Sequence, residues 1–398
     1  MSKITKPVVL DKTLQATNHL FSHLNAAVDL LASDKRAELV TDVATVAQLA
    51  KNGELLEVMD YGDEIHPEWV YGETHYNPAM NLCHESDELL EDGETIHGCF
   101  FEWDKTIPYG MPFSPTQALF ESTTDLAAGT YHFTIKNDSW GSNNDKVVQF
   151  TLTETLTAGM QIRKSGVYNA DILNCTLDVY ASADSLIKLY SITPTLGSDG
   201  TDLGETDGTG NLNHWHRVVL GHNRWSTSNM RQFLNATGAK GTWWSKKEKW
   251  DVKPSQADTI DGFLYGYDES VYNYFKPIKV VTVTNNFESN VEDVTYDRVF
   301  LASLEQMYCI PQFSGKEGDY WEYYKRLLGR TTPAPTGATY PRLIKYALNA
   351  PTSAQYCFRR SADRSGATYV WFVYSSGFVG PGYANSANSC APSVFISD

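Results

Sequence analysis

YCFRRSADRSGATYVWFVYSSGFVGPGYANSANSCAPSVFISD, running from Tyr356 to Asp398, is the stretch whose reading decides the rest of the chain. No charged residue lies between Arg364 and Asp398, while Tyr369, Trp371, Phe372, Tyr374, Phe378 and Tyr383 are interleaved with Ser, Gly, Ala and Asn. Tyr and Trp offer large contact area at low entropy cost, and Ser, Gly and Asn supply adaptable hydrogen bonds, a mixture that binding loops favour. The same aromatic density suits a buried terminal hairpin, because aromatics dominate cores as well as interfaces.

Charge narrows the functions open to such a surface. The 398 residues carry 32 Lys plus Arg against 48 Asp plus Glu, a formal net charge of -16. A chain this acidic repels phosphate backbones, so no nucleic acid is expected as partner. Its length allows two or three domains. The cysteines Cys83, Cys99, Cys175, Cys309, Cys357 and Cys390 are scattered without a CxxC pair, which argues against a zinc ribbon or a dense disulfide framework. Cys357 and Cys390 bracket the aromatic stretch and could pair. The N-terminus MSKITKPVVLDK lacks the apolar core of a signal peptide, and no window is apolar and long enough to span a membrane. The expectation is a protein made in a host cytoplasm and carried outside by another vehicle, such as a virion.

Leu10, Leu14, Phe21, Leu24, Val28 and Leu31, with Thr17 in the remaining slot, fall on heptad a and d positions. A second helical stripe, Leu39, Val43, Val46, Ala47 and Ala50, stops at Asn52-Gly53. Either a helical hairpin packs on its own domain here, or the segment docks or oligomerises, with a homotrimer as the expected state. From Gly53 onward Gly and Pro punctuate short strands. Alternating runs at Tyr131–Lys136, Val147–Thr153, Cys175–Tyr180 and Leu186–Ile192 each place one face on a core, which predicts an antiparallel sandwich or jelly roll. Gly197–Gly210 reads as a Gly/Asp/Thr linker; its acids Asp199, Asp202, Glu205 and Asp207 match no calcium loop.

Beyond the linker, Ser226 or Thr227 is expected to cap a helix burying Met230, Phe233 and Leu234. A second helix is predicted near Leu301–Glu305, another over Tyr320–Leu328, and a loop over Thr331–Ala338. Gly241–Ser245 predicts an exposed loop beside a buried Trp243-Trp244 pair. His214, His216 and His222 suggest a metal, yet no carboxylate or further His stands at ligand spacing, so neither metal nor cofactor is expected. The chain has no GxSxG, HExxH, phosphate loop or dinucleotide fingerprint, and no catalytic residue is assigned.

A dispersed set of residues carries a resemblance over the last half of the chain. Trp225, Ser228, Arg231, Leu234 and Asn235 are followed by Trp243-Trp244, Gly262-Phe263-Leu264, Arg298–Ser303 and Arg359-Arg360-Ser361, then Val370, Val373, Gly377 and Ala391-Pro392. In this order they resemble the C-type-lectin-like domains at the ends of phage receptor-binding proteins, including the variable proteins diversified by retroelements. The resemblance implies a virion-surface adhesin, such as a tail fibre, that binds a bacterial cell-surface protein or glycan and contacts other virion proteins. It also implies that Arg359, Val370, Val373, Gly377 and Ala391-Pro392 are scaffold. Tyr356, Phe358, Tyr369, Trp371, Phe372, Tyr374, Phe378, Tyr383, Asn385 and Asn388 would be the displayed positions. Strand alternation sets Trp371 and Phe372 on opposite faces, so one of them belongs to a core or a subunit contact. Formylglycine-generating enzymes share the implied fold, but Cys357 and Cys390 lie too far apart in sequence for their cysteine pair. A structural decoration protein of head or tail, or a formylglycine-type or glycan-acting enzyme, is the alternative.

The expected architecture is therefore an α+β multidomain chain. It comprises a helical docking or trimerisation segment over 1–52, an antiparallel β-sandwich over 53–196, a linker over 197–210 and a C-type-lectin-like ligand-binding domain over 211–398.

Overall fold

The computed structural model describes residues 42–135, 145–165, 172–182, 184–205 and 214–398. The heptad stretch Leu10–Leu31 and Leu39 lie outside the described residues. The fold is mixed α/β with strands dominant, 37% strand against 15% helix, arranged in several antiparallel sheets. No helix among the described residues is long and apolar enough to cross a membrane.

Two buried cores organise these strands. The larger joins residues from Val43 to Phe113 with residues from Trp225 to Ile396, and the smaller is built from Leu119 to Ile192 together with Trp215–Leu220. The chain thus enters one body, leaves it to build a second, and returns. The expected sandwich over 53–196 is divided between these cores.

The reason lies in the last strand. Ser393–Ile396 is buried on both faces, so its backbone needs partners on both edges. It finds Thr95–Trp103 on one side and Val299–Phe300 on the other, within the sheet order Glu64–Ile65, Met80–Leu89, Thr95–Trp103, Ser393–Ile396, Val299–Phe300. The C-terminal domain expected over 211–398 is accordingly completed by strands from the first quarter of the sequence.

The helix Val43–Lys51 belongs to the same body. Asp42 caps it by accepting hydrogen bonds from the backbone N–H groups of Ala44 and Thr45, and Gly53 at φ +71° allows the turn after it. Its stripe Val43, Val46, Ala47, Leu49 and Ala50 packs on Thr95–Trp103 and Ser393–Ile396. This part of the expected docking segment lies on a sheet of the larger body, called the head below.

The second body is two four-stranded sheets closing on one core. Tyr131, Phe133 and Ile135 alternate with half-buried residues and oppose Phe150, Val148 and Lys146 across Gly129–Ile135 and Lys146–Leu152. The expected linker is partly strand: Thr201–Glu205 pairs in parallel with Gly129–Ile135. The helix His214–Leu220 then covers this core with Trp215, Val218, Val219 and Leu220.

Candidate functional site

The residues of the W-x-x-S-x-x-R-x-x-L-N spacing converge on one joint of the head. The helix Asn229–Leu234 is capped by Ser228, whose hydroxyl accepts from Arg231 N–H; the cap stands one position beyond Thr227 and two beyond Ser226, the expected candidates. Asp297 is fully buried and receives Trp225 Nε1 at 2.9 Å, Arg231 Nε at 2.6 Å and Thr295 Oγ1 at 2.6 Å. Asn235 ends the helix by accepting from Arg298 and Val299 N–H and donating to the Val299 carbonyl. Met230, Phe233 and Leu234 are buried, as the stripe predicts. Ser303, where a helix start is predicted, instead anchors turns, accepting from Gln306 N–H and donating to the Glu317 carbonyl.

Arg359, Arg360 and Ser361 are equally internal. Arg360 donates to the carbonyls of Leu301 and Glu317 and to the Gln306 side chain, and the Ser361 hydroxyl donates to Glu317. Arg359 joins the two large sheets of the head: its Nη1 donates to Oε1 of Glu102 at 2.5 Å. The Tyr324 hydroxyl donates to Oε2 of Glu102, and Lys345 Nζ lies 3.7 Å from it. Burial alone would raise the Glu102 carboxyl, but Lys345 and Arg359 outweigh it and hold the group below its ordinary range.

The C-terminal aromatic stretch forms the second large sheet, ordered Val379–Tyr383, Tyr369–Val373, Cys357–Ala362, Ala387–Cys390, Met111–Pro112. Its register sorts the ten predicted display positions. Phe358 faces Phe372, Trp371 faces Pro381, and Tyr369 faces Tyr383. Phe358 is 0%, Phe372 4% and Trp371 5% exposed, so these three are corrected from displayed to buried positions. The cause is packing: Phe358 and Phe372 meet at 5.6 Å, and Phe358 meets Phe113 of the main core at 5.8 Å. Trp371 points to the opposite face and is also enclosed there, its Nε1 without a partner among the described residues.

The remaining seven reach solvent to different degrees. Tyr356 is exposed, whereas Tyr369, Tyr374, Phe378, Tyr383, Asn385 and Asn388 are half-buried. Tyr356, Tyr374 and Phe378 form a ledge, with ring centroids 5.2 Å and 5.4 Å apart along it. The ledge rests on Gly380 and on the buried Phe372 ring, whose centroid lies 4.7 Å from that of Tyr374. A Cβ at Gly380 would lie 2.4 Å from the Phe378 ring, and one at Gly382 would lie 1.7 Å from the Phe372 ring. The Phe378 and Phe372 rings therefore lie over the bare backbone of the edge strand Val379–Tyr383. Tyr374 is fixed by donating to the Pro381 carbonyl at 2.9 Å.

On the other face Tyr369 and Tyr383 stack at 5.0 Å, and burial followed by the bond to Tyr383 pushes the Tyr369 hydroxyl up to about 12. Tyr383 also packs against the second core. Asn385 is a latch: its N–H and Nδ2 donate to the carbonyls of Leu220 and Val219. Asn388 pairs with Met111 at the sheet's far side. The ten positions thus do not form one continuous surface.

Cys357 and Cys390 are buried free thiols beside each other in the same sheet, and burial pushes both up. Thiols so placed are poor nucleophiles. A recess of about 630 Å³ lies elsewhere, lined in part by Glu88, Lys279, Asp319 and Tyr320. Where the two bodies meet, His222, Glu248 and Asp251 come together as a group that could hold a metal ion. Sequence spacing could not announce that group, because its carboxylates stand on a different loop from the histidine.

The chain belongs to the family described as a domain of unknown function, DUF6273, which matches residues 190–396. No curated protein and no solved structure matches it. The family match takes in the joint at Asp297, both arginines of the Arg359-Arg360 pair and the aromatic stretch as far as Ile396.

Proposed function

We propose that this protein is a phage receptor-binding protein with a C-type-lectin-like head. Its aromatic ledge binds a bacterial cell-surface protein or glycan, and no chemistry is involved. The observation that carries the reading is the ledge Tyr356–Tyr374–Phe378, exposed at Tyr356 and half-buried at its other two rings, which lie in a run with no charged residue between Arg364 and Asp398. Rings held over backbone provide stacking area with little side-chain entropy to lose on binding. Display on a homotrimer, and in many copies on a particle, would multiply weak contacts without any new one. The buried residues around the ledge would be the scaffold, and the ledge with its flanking loops the part a diversifying retroelement could alter.

The test is adsorption of the purified protein to host cells. Replacing both Tyr356 and Tyr374 by Ala should abolish adsorption while leaving the melting temperature within a few degrees. Adsorption equal to wild type would overturn the reading. A structural decoration role is the second reading, and exposed apolar side chains on an edge favour it: Leu186, Ile187 and Leu189 are 42%, 68% and 46% exposed beside the edge strand Lys188–Ile192. Under that reading the double variant adsorbs no differently, whereas Ile187→Asp disrupts particle assembly.

A further inference from the structure

The seam between the two bodies holds an unusual concentration of buried polar groups. The helix His214–Leu220 brings Arg217, the loop after it brings His222 and Arg224, and a later loop brings Glu248 and Asp251. One ligand atom from each of His222, Glu248 and Asp251 lies within 4.8 Å of the others. His222 Nε2 is 3.9 Å from Oδ1 of Asp251. A small contraction would set all three about 2.0–2.2 Å from a common centre, the distance of zinc to imidazole nitrogen and carboxylate oxygen.

His222 supplies the independent observation. It is 1% exposed, and neither ring nitrogen has a hydrogen-bond partner among the described residues. An imidazole has two ring nitrogens to satisfy, and leaving them without partners in the interior is costly, whereas a metal ion would satisfy one of them.

The two carboxylates are already aimed. Asp251 Oδ2 accepts from Lys247 and Glu248 N–H at 3.0 and 2.7 Å, and Oδ1 accepts from Gln117 Nε2 at 3.1 Å. Glu248 Oε2 accepts from Gln117 Nε2 and from Arg217 Nη1, at 3.1 and 3.0 Å. Among the described residues its Oε1 has only the Thr227 hydroxyl at 3.3 Å and Arg224 Nη1 at 3.6 Å. Outer hydrogen bonds of this kind orient metal ligands.

Charge gives the remaining constraint. Arg217 is paired with the buried Glu288. Arg224 stands 3.6 Å from Glu248 and 3.8 Å from Glu288, and about a third of its side chain is exposed at 32%. With Arg224 swung into solvent, the two carboxylates and a neutral His222 carry the charge that one divalent cation balances. The geometry points to a zinc-class divalent metal site formed by His222, Glu248 and Asp251, with Arg224 occupying its neighbourhood when the metal is absent. An imidazole beside two carboxylates suits zinc better than calcium, which takes oxygen ligands. The bound ion would tie the inserted body to the head.

The experiment is calorimetric titration of the chelator-treated full chain with Zn²⁺, and separately with Ca²⁺. One Zn²⁺ per chain is expected. His222→Gln should weaken binding at least about tenfold, in the range that disturbing a metal's ligand shell produces. Arg224→Gln should tighten it, and zinc should raise the melting temperature of wild type but not of His222→Gln. Bound Co²⁺ should absorb without a thiolate charge-transfer band. Absence of stoichiometric zinc binding, equal affinity in His222→Gln, a thiolate band from the buried cysteines, or preference for Ca²⁺ would each overturn the site. If His222→Gln does not fold, Arg224→Gln decides: unchanged or weaker zinc binding rejects the proposal.

Discussion

The two five-stranded sheets of the head are built to opposite specifications. In the first, Cys99–Trp103 and Ser393–Ile396 are buried on both faces, so their strands carry almost unbroken apolar runs. In the second, Tyr369, Tyr374, Phe378 and Tyr383 keep part of each ring in solvent while Phe358, Trp371 and Phe372 turn inward. The first recruits strands from both ends of the described chain, whereas the second draws four of its five strands from the last stretch alone. A closed sheet can fix the fold, and an open sheet attached to it can change its outer residues at low cost in stability. Glu102 on the first sheet and Arg359 on the second join the two through a buried ion pair.

The sharpest way to break this division is Glu102→Gln. It leaves Arg359 and Lys345 buried without their carboxylate, and loss of one partner of a buried pair costs about 3–5 kcal/mol, measurable by urea denaturation. The same group gives a pH signature. Its folded carboxyl titrates below the unfolded one, so its stabilisation is complete above the ordinary carboxylate range and is lost as pH falls through the folded value. Wild type should weaken in acid along this course, and the Glu102→Gln chain should show a flatter profile.

Next in size is Gly382→Ala, which places a methyl group on the Phe372 ring and should cost about 1–3 kcal/mol by overpacking. Its effect tests whether the glycine beneath the buried Phe372 ring is structural. Tyr356→Ala and Tyr374→Ala should each cost less than about 1 kcal/mol, the scale of a partly exposed aromatic contact, while removing adsorption together. A large stability loss in these variants would erase the distinction between scaffold and ledge.

The smallest effect belongs to the hairpin of the first sheet. His97 lies 2.7 Å from Asp87 and 3.3 Å from Glu85; burial opposes its proton, but these bonds outweigh burial and raise its affinity. Its contribution is present below the ordinary histidine value and is lost as pH rises through the raised one. A few tenths of a kcal/mol is the scale for such a half-exposed pair, and His97→Gln should remove that part of the pH dependence.

Patterns carried by neighbours in sequence were legible without the fold. Period-two alternation located the strands within Tyr131–Lys136 and Val147–Thr153, and period-3.6 spacing located the helix burying Met230, Phe233 and Leu234. Alternation also required Trp371 and Phe372 to face apart. It could not reveal that both faces are covered, one by Phe113 and Phe358 and the other by the enclosed side of Trp371. Local turn chemistry was less secure: Leu301–Glu305 has helical composition, yet Ser303 and Glu305 bind the loop Gly315–Glu317 and hold the segment in turns.

By itself the sequence determined the strand-rich class, the chargeless aromatic terminus and the absence of any local catalytic motif, because each is written in adjacent residues or short periods. Tertiary structure alone decided which aromatics are displayed, that Ser393–Ile396 is completed by Thr95–Trp103, and that Glu248 and Asp251 meet His222. These depend on contacts between segments separated by tens to hundreds of residues. No local periodicity records them, since burial and charge pairing are properties of the assembled neighbours rather than of the chain's immediate spacing.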